Sequence, residues 1–174
     1  LAAVLLSPVI GLAAFATRMR MGSPVLFVQE RPGLGGRSFT LYKFRRMTEE
    51  TGDDGVALDD ELRITPLGAF LRRTNLDELP QFFNVIEGSM SIVGPRPHAV
   101  AHNELYRKKI RGYMLRHKVK PGITGWAQVN GLRGDTSIRQ RIVHDLYYIE
   151  NWSFGLDIKI LWRTLRIALH EARA

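Results

Sequence analysis

The stretch richest in chemistry runs Arg72-Arg73-Thr74-Asn75-Leu76-Asp77-Glu78-Leu79-Pro80-Gln81. Two adjacent carboxylates follow two arginines and enter what reads as the first turn of a helix capped by Asn75. Free amide N–H groups at a helix start attract anions, so phosphate oxygens could dock there beside Arg72. The same field is expected to lower the pKa of Asp77, keeping it ionised and available as a nucleophile. Neighbours at i and i+1 do not share a helix face, so Asp77 and Glu78 could serve different groups, one the phosphorus and the other a metal or an acceptor. A structural reading stands beside this one. Acidic residues in a first turn are ordinary dipole partners, and Glu78, three residues after Asn75, resembles half of a capping box.

Cations that could answer these carboxylates lie elsewhere in the chain. Lys43, Arg45 and Arg46 leave a predicted strand, and Arg96 stands between Pro95 and Pro97. Together they could clamp a diphosphate, although each alone reads as a surface charge. Arg96 is the strongest, because the rigid Pro-Arg-Pro backbone holds one guanidinium in place. His98 and His102 are spaced i, i+4 but lack the glutamate of H-E-x-x-H, so no zinc site is expected. The cluster Arg107-Lys108-Lys109, Arg111, Arg116, Lys118 and Lys120 has no nucleic-acid module around it, which leaves lipid headgroups or solvent as its partners.

These residues need elements to position them. Val25 to Gln29 and Ser38 to Phe44 read as a hairpin, with the glycines of Arg31-Pro32-Gly33-Leu34-Gly35-Gly36 making a turn and not a phosphate cradle. Glu49 to Glu61 reads as a solvated loop. Thr65-Pro66 starts a helix that ends near Arg72-Arg73. A second helix carries Asp77 and Glu78 and closes at Gly88. Ser91 to Gly94 is a candidate strand. A basic helix is expected over roughly His98 to His117, and two closing helices over Ser137 to Trp152 and Phe154 to Arg173. In the last, Lys159, Arg163 and Arg166 form one stripe, which suits either a membrane-interface helix or a core helix with a solvated face.

Leu1 to Ala16 is apolar apart from Ser7, with Pro8 and Gly11 loosening the helix and Arg18 and Arg20 following. A re-entrant membrane helix, a signal peptide ending at Ala14-Phe15-Ala16, and a spanning helix that starts before Leu1 all fit. The start inside an apolar run is expected to be a cut within a longer chain.

The 174 residues suffice for one sizeable core. With 45% hydrophobic and 24% charged residues, the chain is not of the disordered class. Lys and Arg number 25 against 17 Asp and Glu, a formal net charge of +8, which favours polyanions: nucleic acid, an anionic membrane or phosphorylated substrates. The absence of Cys excludes a disulfide framework and thiolate metal sites.

The chain resembles the monotopic phosphoglycosyl transferases, bacterial sugar transferases that begin polysaccharide and glycoconjugate assembly. The resemblance rests on Ser23 through Gly33, Lys43-Phe44-Arg45, Asp77-Glu78-Leu79-Pro80-Gln81, Val93-Gly94-Pro95-Arg96-Pro97 and Lys120 through Gln128, in family order across nearly the whole chain. His98 to Asn103 and the Trp126 to Thr136 loop look most like the larger members that transfer glucose-1-phosphate to undecaprenyl phosphate.

The resemblance implies that Asp77 attacks the sugar-linked phosphate of a UDP-sugar and releases UMP, and that polyprenyl phosphate then takes the phosphosugar. Asp77 and Glu78 are the expected catalytic pair, Lys43, Arg45, Arg72 and Arg96 the substrate-binding residues, and Mg2+ the cofactor, with Asp77 as its ligand. Glu78 is expected to act more through positioning or metal contact than as a base, since a phosphate monoester with a second pKa of about 6 is mostly dianionic at neutral pH. A family bend at Ser-Pro matches Ser7-Pro8 and selects the re-entrant reading. The expected fold is α+β and mainly helical: a small β-hairpin, an N-terminal re-entrant helix over residues 1–22, interfacial amphipathic helices, and a catalytic domain over residues 23–174. Expected partners are a UDP-sugar, undecaprenyl phosphate and the membrane, with no nucleic acid and a homodimer left open. The expected location is the cytoplasmic face of the bacterial inner membrane. A non-catalytic basic adaptor for membrane surfaces or nucleic acid is the alternative.

Overall fold

Residues 2–48, 63–134 and 136–171 are described by the computed structural model; the acidic segment from Glu49 to Glu61 lies outside them. Helix α1 (Ala2–Met21) runs through Pro8 without interruption. Ile10, Ala13, Ala14 and Thr17 recur at helical spacing and face the body, where Ala13 joins a core cluster with Phe44 and Leu71. Leu12, Phe15 and Met19 are exposed on the other side. Among the described residues no helix is long and apolar enough to cross a membrane.

Strands β1 (Leu26–Pro32) and β2 (Ser38–Phe44) pair antiparallel, with Leu26 opposite Phe44 and Pro32 opposite Ser38. Gly35 and Gly36 take positive φ in the connection, so the glycines do serve a turn. Helix α2 (Pro66–Arg73) starts as expected: Thr65 Oγ1 accepts from the Gly68 amide at 3.0 Å. Gly68 also lets α2 lie flush on the strand end, because a Cβ there would sit 2.0 Å from the Arg46 carbonyl oxygen.

The segment after α2 differs from expectation. Asn75 has φ 56 and makes no side-chain cap, Leu76–Glu78 forms a single 3-10 turn, and helix α3 is confined to Gln81–Glu87. Asp77 and Glu78 therefore precede the helix and do not occupy its first turn. Pro80 explains the delay, since it has no amide hydrogen to continue a hydrogen-bonded run begun before it.

A second small sheet pairs β3 (Ser91–Val93) with β4 (Gly122–Thr124) in parallel. Its tightness accounts for two motif glycines. A Cβ on Gly122 would lie 2.1 Å from the Gly94 nitrogen, and one on Gly94 would lie 2.6 Å from the Lys120 carbonyl oxygen. The basic helix is shorter than expected: α4 spans Val100–Lys109, Gly112 breaks it with φ 78, and Tyr113–Lys118 is a 3-10 helix. Helices α5 (Trp126–Val129), α6 (Ile138–Glu150) and α7 (Phe154–Glu171) complete an α+β, mainly helical fold.

Ile160 of α7 is fully buried in the second core cluster with Val93, Val129 and Tyr148. Phe154, Ile158, Trp162, Leu165 and Leu169 remain exposed along the outer face of α7. Two of the three stripe cations on this helix are engaged within the protein. Lys159 and Arg163 lie over the Trp126 ring at 5.4 and 5.2 Å.

Candidate active site

Three segments far apart in sequence meet at one cleft. Strand β2 brings Lys43, its continuation brings Arg46, the 3-10 turn brings Asp77 and Glu78, and the Pro-Arg-Pro segment brings Arg96. Asn84, wholly buried on α3, ties the turn to the sheet. Its Oδ1 accepts from the Tyr42 amide at 3.2 Å and its Nδ2 donates to the Thr40 carbonyl at 2.7 Å. An asparagine thus satisfies backbone groups along β2 as a neighbouring strand would.

Glu78 is the hub of the charge cluster. Arg96 donates to it twice, Nη1 to Oε2 at 2.9 Å and Nη2 to Oε1, and Lys43 Nζ donates to Oε1 at 2.8 Å. Burial works to raise the Glu78 pKa, but Arg96 and then Lys43 outweigh it and hold the carboxyl well below the usual range. Glu78 is consumed in holding two cations, and the capping-box role considered for it is not the one it plays.

Asp77, 3% exposed, has one ion-pair partner among the described residues, Arg46 Nε at 3.5 Å. Burial, and next the charge of Glu78, raise its pKa against the pull of Lys43, Arg46 and Arg96. This reverses the lowering expected from a helix start, because no α-helix begins at Asp77. A raised pKa makes the ionised carboxylate the more basic oxygen nucleophile.

A cavity of about 440 Å³ opens over Asp77, and Arg72, Arg96, Arg133 and Gln128 are among its lining residues. Arg72 and Lys43 stand where the sequence placed them, at the site. Arg45 does not. Its guanidinium donates to the main-chain oxygens of Met21 and, at 3.3 Å, Ser23, so it closes the end of α1, while its neighbour Arg46 lines the cavity. Strand β2 ends at Phe44, so the alternation that would put Arg45 on the side of Lys43 does not carry on to Arg46. Ser7 and Pro8 are exposed on α1, outside this cavity.

Several residues escaped the sequence reading. Arg133 follows a glycine-containing loop with no motif to mark it. Gln128 donates to the Ile123 carbonyl at 2.9 Å, while its Oε1 is buried with no hydrogen-bond partner among the described residues. Arg116, assigned from sequence to a cluster facing headgroups or solvent, is instead buried behind the Pro-Arg-Pro segment, where its Nη2 pairs with Asp145 Oδ2 at 2.8 Å and also donates to the Arg96 carbonyl. His98 is buried, with Nδ1 2.9 Å from the Tyr113 hydroxyl; the His102 side chain lies outside the described residues.

No group of three His, Asp or Glu side chains converges among the described residues. A cation that needs a full protein cage finds none among these residues. One that draws most ligands from water and substrate phosphates, as Mg2+ does, fits the carboxylate oxygens of Asp77.

The family described as bacterial sugar transferase matches residues 1–171. The UDP-glucose:undecaprenyl-phosphate glucose-1-phosphate transferase of Escherichia coli (strain K12) is 54% identical over 168 residues, and the protein of the same name from Klebsiella pneumoniae is 53% identical. Each alignment covers 93% of this chain and 36% of the relative, so the chain spans about a third of those relatives' length. The uncharacterized sugar transferase EpsL of Bacillus subtilis (strain 168) is 51% identical, over 87% of this chain and 73% of that protein.

Proposed function

The chain belongs to the bacterial sugar transferase family, and from that premise we propose that it moves a sugar-1-phosphate, glucose-1-phosphate first, from a UDP-sugar to undecaprenyl phosphate. The observation that carries the reading is the division of labour between two adjacent carboxylates, Asp77 buried and Glu78 half-buried. Both carboxylates line the cavity, but Glu78 is bound on both oxygens by Arg96 and Lys43, which leaves Asp77 as the carboxylate able to attack.

In the first step an Asp77 carboxylate oxygen attacks the phosphorus that bears the sugar. The bond from that phosphorus to the bridging oxygen breaks, and UMP leaves with the electron pair. Lys43, Arg46 and Arg96 stabilise the charge on the phosphoryl oxygens. In the second step a phosphate oxygen of undecaprenyl phosphate attacks the aspartyl phosphosugar, frees the Asp77 carboxylate and yields the diphosphate-linked sugar. Mg2+, held by Asp77 with substrate phosphates, would neutralise diphosphate charge.

The exposed apolar faces of α1 and α7 support a monotopic seat on the bilayer, with α1 entering one leaflet and the catalytic domain on the cytoplasmic face of the inner membrane. Ser7 and Pro8 mark the part of α1 that would turn back. Family membership favours this enzyme over a non-catalytic adaptor.

UMP release from a panel of UDP-sugars with undecaprenyl phosphate tests the reaction. Acid quenching followed by peptide mapping should find the phosphosugar on Asp77, and an adduct elsewhere would overturn the assignment.

A further inference from the structure

A second cavity, about 230 Å³, adjoins the first and shares Lys43, Arg96 and Gly134 with it. Its other lining includes Arg31, Gln81, His98 and Arg141. Resting on the reaction proposed above, we infer that this smaller cavity receives the nucleoside monophosphate half of the donor, while the lipid-linked acceptor enters through the larger one.

Four observations converge on this division. Asp77 lines the larger cavity and not the smaller. In-line displacement puts the leaving oxygen across the phosphorus from the attacking oxygen, so the nucleotide departs away from Asp77. The larger cavity is walled by Leu79, Phe82, Ile123 and, from α7, Thr164 and Ala168. That wall suits a phosphate arriving on an apolar chain, and α7 contributes nothing to the smaller cavity.

Charge supplies the third observation. The ionisable lining of the smaller cavity is Arg31, Lys43, Arg96, Arg141 and His98, with no carboxylate among its described lining residues. Arg31 donates to neutral oxygens, the Pro97 carbonyl at 3.3 Å and the Gln29 amide, and its Nε is buried with no partner among the described residues. Burial, and next Arg96, lower the Arg31 pKa against the pull of Glu78, which is itself held by Arg96 and Lys43, so Arg31 has no anion in contact among the described residues. A phosphate monoester, mostly dianionic at neutral pH with a second pKa of about 6, would supply one. Fourth, the Gln81 amide, 2% exposed, and the His98 ring, fixed on Tyr113, offer positioned polar groups for a nucleoside.

The acceptor phosphate, entering through the larger cavity, must later reach the Lys43 and Arg96 edge that both cavities share, to attack from the side that UMP vacates. Lys43 and Arg96 are thus common to both substrates, and only Arg31, Gln81 and their neighbours are private to the donor. That prescribes the test, made on the full chain in detergent or nanodiscs with UDP-glucose, undecaprenyl phosphate and UMP as probes. Arg31→Gln and Gln81→Leu should each raise the KM for UDP-glucose and the inhibition constant of UMP about tenfold, with the acceptor KM changed less than about twofold. An equal rise in acceptor KM, or an unmoved donor KM, overturns the inference. Arg31→Lys carries the same comparison if thermal melting shows that Arg31→Gln is unfolded. If wild type releases no UMP from any UDP-sugar, the proposed reaction fails. UMP binding by calorimetry then decides the cavity on its own: loss of that binding in the Arg31 variant upholds it, and unchanged binding overturns it.

Discussion

Glu78, half-buried, and Asp145, buried, are both carboxylates paired with an arginine, yet the two regions hold their protons in opposite ways. Glu78 meets Arg96 on both oxygens and Lys43 besides, and attraction defeats burial. Asp145 is salt-bridged to Arg116, which also serves the Arg96 carbonyl and, at 3.5 Å, the Tyr113 hydroxyl. Burial dominates there and pushes Asp145 up to about 6, against Arg116, His144 and Arg141. One close cation does not offset the desolvation of a buried carboxylate, whereas a bidentate guanidinium with an added ammonium does. The first region therefore stores fixed charge around Asp77, and the second is a scaffold whose ion pair is opposed by burial.

Asp77→Asn should break the contrast on the activity side most strongly. Turnover is expected to fall by at least about 10³-fold while the melting temperature holds or rises, because a costly buried charge is removed without emptying space. UMP release and a thermal melt on the same preparation check both halves.

Glu78→Gln should damage both properties together. Arg96 and Lys43 would be left facing each other without their carboxylate, at a cost of about 3 to 5 kcal/mol by denaturant titration. Activity should fall by about 10²-fold, since the cations that face the phosphates lose their fixed positions. A variant as stable as wild type would deny Glu78 its place as the hub.

In the second region, Arg116→Met should cost about 3 kcal/mol, because Asp145 loses its cation and the Arg96 carbonyl loses a donor. The activity loss should be smaller than for Glu78→Gln and should disappear as a kcat effect if Arg96 stays in place.

Asp145→Asn should have the smallest effect and the opposite sign. A carboxyl whose folded pKa is raised contributes stability that is fully present below the unfolded value near 3.8 and is lost as pH rises through about 6. The asparagine variant should match wild type near pH 4 and exceed it by about 2 to 3 kcal/mol at pH 7. Parallel stability curves from pH 4 to 7 would show that the Arg116 pair outweighs burial after all.

Much of the local architecture was legible in residue types. Thr65-Pro66 starts its helix, the Gly35-Gly36 pair makes its turn, Gly88 closes α3, and Ser137 caps α6. These depend on a residue's own backbone preferences and on groups within a few positions. The 3-10 turn at Asp77 was missed because Asn75 takes a left-handed conformation and makes no cap, which no spacing announces.

The chemistry divides along the same line. The Asp-Glu pair and the arginine held between prolines could be named from sequence because those residue types carry their chemistry wherever they fold. Which carboxylate is spent on two cations, and which keeps a single ion pair among the described residues, depended on where β2 and the Pro-Arg-Pro segment meet the turn, 35 and 18 residues from Glu78. The choice of Arg46 over Arg45 was likewise settled by tertiary contacts, Arg45 with the main-chain oxygens of Met21 and Ser23 and Arg46 with Asp77. Burial is a property of the assembled neighbours, so the rise of Asp77 where local reasoning expected a fall could come only from the tertiary structure.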